Sequence, residues 1–171
     1  MKAELNHCHA ALSSGSLSFQ NVKTFQTTAV DASGSDDGVL VVHCSDPRYQ
    51  PHYQSFLRHG LGIPRYALLA IPGGVQTLTL TDYLPKFAWS GWRWMKFLTN
   101  LTSPRRVILI THDDCRWYLD NRFADAANVR GRQVEDLRRV SRAFRERFGD
   151  VEVELYYAAL EDGRARFETV S

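Results

Sequence analysis

The chain has 171 residues, of which 44% are hydrophobic and 23% charged, and this composition is typical of one globular domain rather than of a disordered polypeptide. The net charge of +2 is too small to favour nucleic acid as a partner, and three cysteines cannot form a disulfide framework without leaving one over. No apolar run reaches the ~18 residues of a membrane-spanning helix, and the first 20 residues lack the apolar stretch of a signal peptide. We therefore expect a cytoplasmic protein with reduced thiols and no membrane partner.

The sequence divides by pattern into two parts. Residues 1–35 are rich in loop-forming serine, glycine and aspartate, and we predict an N-terminal arm that is partly loop, with a helix compatible with residues 21–29. Residues 36–171 are predicted to form a single α/β domain.

Short apolar runs alternate with segments of helical length in the middle of the chain. Three such runs predict strands buried on both faces, namely residues 39–42, 67–71 and 107–110. The segments between them predict helices at 49–59 and at 82–99, the second with a break near Pro85. This alternation is typical of parallel β-α-β units.

The C-terminal part contains the clearest helix. Residues 130–148 carry apolar side chains at three- and four-residue steps, and Gly149 is expected to end the helix. Alternation at 151–157 predicts a strand, and Asp162-Gly163 predicts a hairpin turn into a last strand at 165–170. The predicted fold class is α/β, a mostly parallel sheet flanked by helices on both faces, with a C-terminal hairpin strand pair.

Side chains that bind metals follow two of the predicted strands. Cys44 follows the first strand, and His112 and Cys115 follow the third. Ligands bind outside the carboxyl ends of parallel strands, so the three side chains converge if these strands are neighbours. Two thiolates and one imidazole suit zinc, and three protein ligands leave the fourth position open, as in catalytic zinc sites.

Two charged residues stand close to Cys44 in the sequence. Asp46 could accept a hydrogen bond from a water or hydroxide on the metal, and Arg48 could hold that carboxylate ionised by a two-pronged contact. Asp46 could instead bind the metal as a fourth ligand and close the site. A structural ion pair is the third interpretation.

These residues together resemble the β-class carbonic anhydrase family. The resemblance covers residues 39–170, most of the chain, and depends on motifs that occur in the family's order, each just after a predicted strand. They are Cys-x-Asp-x-Arg at Cys44-Ser45-Asp46-Pro47-Arg48, a glycine pair at Gly73-Gly74, and His-x-x-Cys at His112-Asp113-Asp114-Cys115.

The resemblance implies a function and a site. Cys44, His112 and Cys115 would be the zinc ligands, Asp46 and Arg48 the catalytic pair, and zinc hydroxide would attack carbon dioxide to give bicarbonate. Gly73 and Gly74 would lie at the substrate pocket, although a tight turn alone also explains them. The family forms its sites at a dimer interface, so a homodimer or higher homo-oligomer is implied.

Some residues depart from the family's pattern. Arg116-Trp117-Tyr118 follows the second cysteine where the family commonly has glycine, and Ile71-Pro72 precedes the glycine pair. A divergent zinc protein is therefore the alternative, acting on another small electrophile such as a carbon–sulfur analogue of carbon dioxide, or lacking turnover.

The same residues bear on two other functions. A thiol enzyme of the cysteine phosphatase type needs an arginine six positions after the cysteine, where this chain has Gln50. A non-catalytic metal-binding protein on the same fold stays open. His43, His52 and His59 are candidate proton shuttles, though each is more simply a surface or packing histidine.

An aromatic-rich segment occupies residues 87–97. We interpret it as helix packing or a subunit interface, and as the wall of an apolar pocket in the alternative. Its aromatic members are Phe87, Trp89, Trp92, Trp94 and Phe97.

Overall fold

The structure is a computed structural model that describes residues 38–120 and 128–171. The predicted N-terminal arm at 1–35, with its helix at 21–29, lies outside the described residues. Within the described ranges, no helix combines the length and apolar character needed to span a membrane.

The strands form one five-stranded sheet. In chain order they are β1 Val39–Cys44, β2 Ala67–Ile71, β3 Arg106–His112, β4 Glu152–Glu161 and β5 Arg164–Thr169. Their order across the sheet is β2-β1-β3-β4-β5. The first four strands are parallel and β5 is antiparallel to β4, which confirms the predicted α/β class and the C-terminal strand pair.

The helices that connect these strands include those predicted at 49–59, 82–99 and 130–148, and further short ones for which the sequence pattern predicts no range. They are α1 Gln50–Ser55, continued by a π-helical turn at Phe56–Gly60, then α2 Gln76–Thr79, α3 Pro85–Thr102, α4 Arg116–Asp120 and α5 Val129–Phe148. Gly149 ends α5 at a φ of +91°, where its N–H reaches the carbonyl of Arg145.

The break predicted near Pro85 is wrong, because α3 begins at that residue. Proline lacks an N–H and its φ is already helical, so it suits the first position of a helix, where no intrahelical acceptor exists. Residues 82 and 83 lie in a turn, and Leu84 directly precedes the helix outside regular structure.

The sheet buries both faces, which explains the unbroken apolar runs of β1 and β3. On one face, Leu40 and Leu109 pack with Met95 of α3 and with Leu137 and Phe144 of α5. On the other face, the apolar partners of β1 and β3 come from α1 and its π-helical turn, and this second core includes Val41, Ile108, Tyr53 and Leu57. Helices therefore cover both faces.

The topology places two loops at one edge of the sheet. β1 pairs with β2 on one side and with β3 on the other, while β3 pairs next with β4. The chain thus leaves β1 and β3 in opposite directions across the sheet. This is the kind of position at which open α/β sheets form a ligand crevice.

Candidate metal centre

Cys44, His112 and Cys115 meet at the carboxyl edge of β1 and β3. One ligand atom from each side chain can be chosen so that all three atoms lie within 4.8 Å of one another. All three residues are buried. Cys44 and His112 end their strands, and Cys115 directly precedes α4, so each is held by regular structure rather than by a free loop.

The distance between the two sulfurs fits a tetrahedral metal. The Sγ atoms of Cys44 and Cys115 are 3.8 Å apart. Two sulfurs that each bind zinc at ~2.3 Å with a tetrahedral angle are separated by ~3.8 Å. The pair therefore needs no rearrangement to hold such an ion.

The imidazole of His112 has one ring nitrogen available for a metal ion bound by the two sulfurs. Its Nδ1 lies 2.7 Å from the carbonyl oxygen of Asp113, and because a carbonyl only accepts, Nδ1 carries the proton. Nε2 then holds a lone pair, and it is buried without a hydrogen-bond partner in the described part of the chain. Such an orphaned nitrogen beside two thiols fits a metal ligand.

The two thiols titrate as one unit. The hydrogen bond from Cys115 is the largest cause that lowers the pKa of Cys44, with a further contribution from His112. The same contact with Cys44, together with burial, raises the pKa of Cys115. A divalent cation would bind such thiols as thiolates, with displacement of their protons.

Two glutamine side chains donate hydrogen bonds to backbone carbonyls of the segments that carry the metal-binding side chains. Gln50, from the first turn of α1, donates Nε2 to the carbonyls of Cys44 at 3.0 Å and Asp46 at 2.9 Å. Gln133 of α5 donates Nε2 to the carbonyl of His112 at 2.6 Å. Gln50 acts on residues four and six positions before it, whereas Gln133 acts on a residue 21 positions away that only the fold brings close.

Asp46 and Arg48 form a two-pronged ion pair at the edge of the centre. Nη2 of Arg48 lies 2.8 Å from Oδ2 of Asp46, and Nε lies 3.1 Å from Oδ1. The backbone N–H of Arg48 also donates to Oδ1 at 3.0 Å. These hydrogen bonds lower the pKa of Asp46, so the carboxylate is ionised at neutral pH and acts as an acceptor.

A second carboxylate, which sequence reasoning missed, completes the surroundings of Arg48. Nη1 of Arg48 lies 2.7 Å from Oδ2 of Asp114, and Nη2 lies 3.0 Å from the carbonyl of Asp114. Asp114 has a φ of +45°, a left-handed backbone conformation that aspartate adopts more readily than most residues other than glycine. The signal was present as an acid beside Cys115, but only the fold places it opposite Arg48.

The glycine pair packs against two different neighbours. A Cβ added to Gly74 would lie 3.0 Å from the backbone N of Cys44 and from the carbonyl carbon of His43. A Cβ added to Gly73 would lie 2.1 Å from Cδ1 of Trp117. Pro72 lines the adjacent cavity. The two glycines do not appear in its described lining, but they pack against Trp117 and Cys44, which do.

His43 takes a packing position. It is buried, its ring stacks on Tyr53 with centroids 4.3 Å apart, and its Nδ1 lies 2.8 Å from the carbonyl of Cys44. Burial lowers the pKa of this imidazole. These contacts help to position Cys44, and the residue is only 2% exposed.

A cavity of about 830 Å³ opens beside the metal-binding side chains. Its lining includes Cys44 at the end of β1, Asp46 and Arg48 from the loop that follows β1, and Trp117 from α4. The aromatic residues of α3 do not appear among the described residues that line it, so the pocket-wall alternative for that segment is not supported.

Comparison with known proteins gives distant structural likenesses. No family model matches the chain, and no curated protein matches its sequence. A carbonic anhydrase from Glaciozyma antarctica is 15% identical, with 80% of this chain and 83% of that chain covered at a TM-score of 0.49. The carbonic anhydrase of Streptococcus mutans is also 15% identical, covering 85% and 88% at 0.46. Isoform I of the Trichomonas vaginalis β-carbonic anhydrase is 11% identical, covering 85% and 87% at 0.42.

Proposed function

We propose that this chain is a zinc-dependent lyase similar to the β-class carbonic anhydrases, which hydrates carbon dioxide to bicarbonate. Cys44, His112 and Cys115 are the zinc ligands in this proposal. The observation that supports it most is the convergence of two sulfurs and an imidazole, with one ligand atom of each side chain within 4.8 Å of the others and with Nε2 of His112 unpartnered in the described structure. A zinc ion held there would supply Lewis acidity, which turns water into a nucleophile near neutral pH.

Asp46 and Arg48 orient the reacting water in this proposal. The ionised carboxylate of Asp46 accepts a hydrogen bond from the water, and so fixes the direction in which its lone pair points. Arg48 keeps Asp46 ionised and holds it by contacts at 2.8 and 3.1 Å. Because the pKa of Asp46 is lowered, its carboxylate serves as an acceptor and does not carry the proton away.

The experiment that tests this function is carbon dioxide hydration, measured by stopped flow on protein of known zinc content. Asp46→Asn keeps the size of the side chain and removes its charge, and we expect hydration to fall by about 10- to 100-fold with zinc retained. Asp120→Asn is the matched control, since Asp120 lines the same cavity without touching Arg48 or the three ligands in the described structure. Full hydration by Asp46→Asn would overturn the orienting role.

A second candidate is a divergent zinc protein that acts on another small electrophile, such as a carbon–sulfur analogue of carbon dioxide, or that lacks turnover. The observation in its favour is the pair Arg116-Trp117, which stands beside the second cysteine and lines the cavity. Zinc at about one ion per chain, with no hydration at any pH, would favour this candidate.

We also propose that the protein forms a homodimer or a higher homo-oligomer. Helix α3 presents large apolar side chains to solvent at positions that fall on one side of the helix. Phe87 is 51% exposed, Trp94 47%, Phe97 65% and Leu101 67%. Trp92 faces inward instead, where its Nε1 donates to the carbonyl of Leu78. A continuous apolar stripe of this kind marks an interaction surface.

A further inference from the structure

The cavity beside the metal centre is much larger than carbon dioxide requires. At about 830 Å³ it falls within the ~300–1,000 Å³ of sites that hold organic ligands of drug size. Apolar side chains make up much of its wall, and they come from the loop after β1, the loop after β2 and helix α4. They are Pro47, Pro72, Trp117 and Leu119.

The charges at the cavity nearly cancel. Arg48 is already paired with both Asp46 and Asp114. The remaining charged side chains in the lining are Arg116 and Asp120, which have opposite signs. The described lining therefore has no large excess of charge of one sign. Such a lining does not favour the binding of an ion over that of a neutral molecule with an apolar body.

Trp117 occupies its place in the wall only because residue 73 is glycine. A Cβ at Gly73 would lie 2.1 Å from Cδ1 of the indole and 2.9 Å from both Cγ and Nε1. The pyrrole edge of the indole thus rests on the backbone of Gly73. The φ of Gly73 is +72°, so glycine is also favoured by the turn itself.

The position of Trp117 leaves one polar group of its side chain without a hydrogen bond in the described structure. Its indole N–H is buried and has no acceptor among the described residues. A buried donor without a partner is unfavourable, because it has lost its hydrogen bonds to water and gained none in return. A side chain held at such a cost beside a candidate site is the kind of local conflict that functional sites contain.

We propose that this cavity binds neutral organic molecules through an apolar body that packs against Trp117, a ligand class beyond carbon dioxide. Gly73 is the positioning residue that seats the indole. Only one part of this proposal rests on the proposed function: the polar end of the ligand is placed towards the metal-binding side chains. Neither Trp117 nor Gly73 belongs to the zinc ligands, so the wall can be tested separately from the metal.

The test measures binding of two neutral amides that share one head group, acetamide and benzamide, by calorimetry on purified protein whose zinc content is known. Benzamide adds only apolar surface, and we expect it to bind at least about tenfold more tightly than acetamide. Trp117→Ala should reduce that ratio to about threefold or less. Trp89→Ala is the matched control, because Trp89 is an exposed tryptophan of α3, 64% exposed, and the ratio should not change.

Gly73→Ala tests the seating of the indole. The added methyl should displace Trp117, reduce the amide ratio as Trp117→Ala does, and lower the melting temperature. In the double variant Gly73→Ala/Trp117→Ala, the stability loss should be clearly smaller than the sum of the two single losses, because the clash is gone. Gly62→Ala controls for backbone strain, since Gly62 also has positive φ, +68°, with open space around a Cβ.

Three results would overturn the proposal: equal affinity for the two amides in the natural chain, an unchanged ratio in Trp117→Ala, or additive losses in the double variant. A failure of the proposed lyase function would give a different result. A chain that binds no zinc but keeps the tenfold amide ratio would refute the lyase and leave the ligand class standing.

Discussion

The guanidinium of Arg48 joins the two loops that carry the sulfurs, because its Nη1 lies 2.7 Å from Oδ2 of Asp114 while Nε and Nη2 hold Asp46. The loop after β1 and the loop after β3 are thus connected by one side chain outside the ligand set. Arg48 therefore has two separable contacts, one to the carboxylate that orients water and one to the neighbouring loop.

Separate variants distinguish these two contacts. Arg48→Ala removes every side-chain hydrogen bond from Arg48 to Asp46, and we expect hydration to fall by about 10- to 100-fold with zinc retained. Asp114→Asn loses an exposed pair, with side chains 39% and 52% exposed, and should lower the free energy of unfolding by about 1 kcal/mol at most. Equal losses of hydration in both variants would contradict the orienting role of Asp46.

Gly74 is expected to be more sensitive than a glycine of similar backbone conformation. Gly74→Ala would place a methyl 3.0 Å from the backbone at Cys44, whereas Gly62→Ala meets nothing within 4 Å, although both residues have positive φ. We expect Gly74→Ala to cost about 1–3 kcal/mol more in the free energy of unfolding, measured by urea denaturation, and to weaken zinc binding. Equal costs would show that only the turn conformation matters.

The buried Asp136 should make stability depend on pH. Burial raises its pKa above 3.8, although Tyr118 donates to its Oδ2 at 2.9 Å. Between 3.8 and the folded pKa the unfolded state ionises first, so this residue removes stability as the pH rises. Asp136→Asn avoids that loss, and its stability relative to the natural chain should increase from pH 4 to neutral pH, by about 1.4 kcal/mol for each unit of pKa shift.

Urea denaturation at several pH values between 4 and 8 checks this expectation. A constant difference between Asp136→Asn and the natural chain across that range would contradict a raised pKa.

The apolar stripe of α3 predicts self-association. Light scattering at micromolar concentration should give a mass of at least two chains. Trp94→Glu or Phe97→Glu should lower that mass towards one chain, because each places a charge in the stripe. Arg139→Glu, a change on the exposed side of α5, should leave it unaltered. A single-chain mass for the natural protein would contradict the proposed oligomer.

Much of the fold follows from local pattern. The runs at β1 and β3 are unbroken because both faces of these strands are covered, and residues 130–148 carry a helical period because one side of α5 packs on the sheet. The start of α3 is not evident from the sequence because proline both breaks helices and begins them, and only the position of the preceding turn decides between the two.

The site is less accessible to sequence reasoning. Cys44, His112 and Cys115 can be singled out because each follows a buried strand, and the structure brings them together; their role as ligands stays a prediction. Gln133 lies 21 positions from His112, and Asp114 lies 66 from Arg48, so neither contact has a local signal. The indole on Gly73 depends on the same long-range packing.

Zinc content measured on purified protein by elemental analysis tests the central claim most directly. We expect about one zinc per chain in the natural protein and in His52→Ala, and almost none in Cys44→Ser/His112→Ala, with circular dichroism showing that the double variant is folded. Zinc that survives in the folded double variant at the level of the natural chain would contradict the metal centre described here.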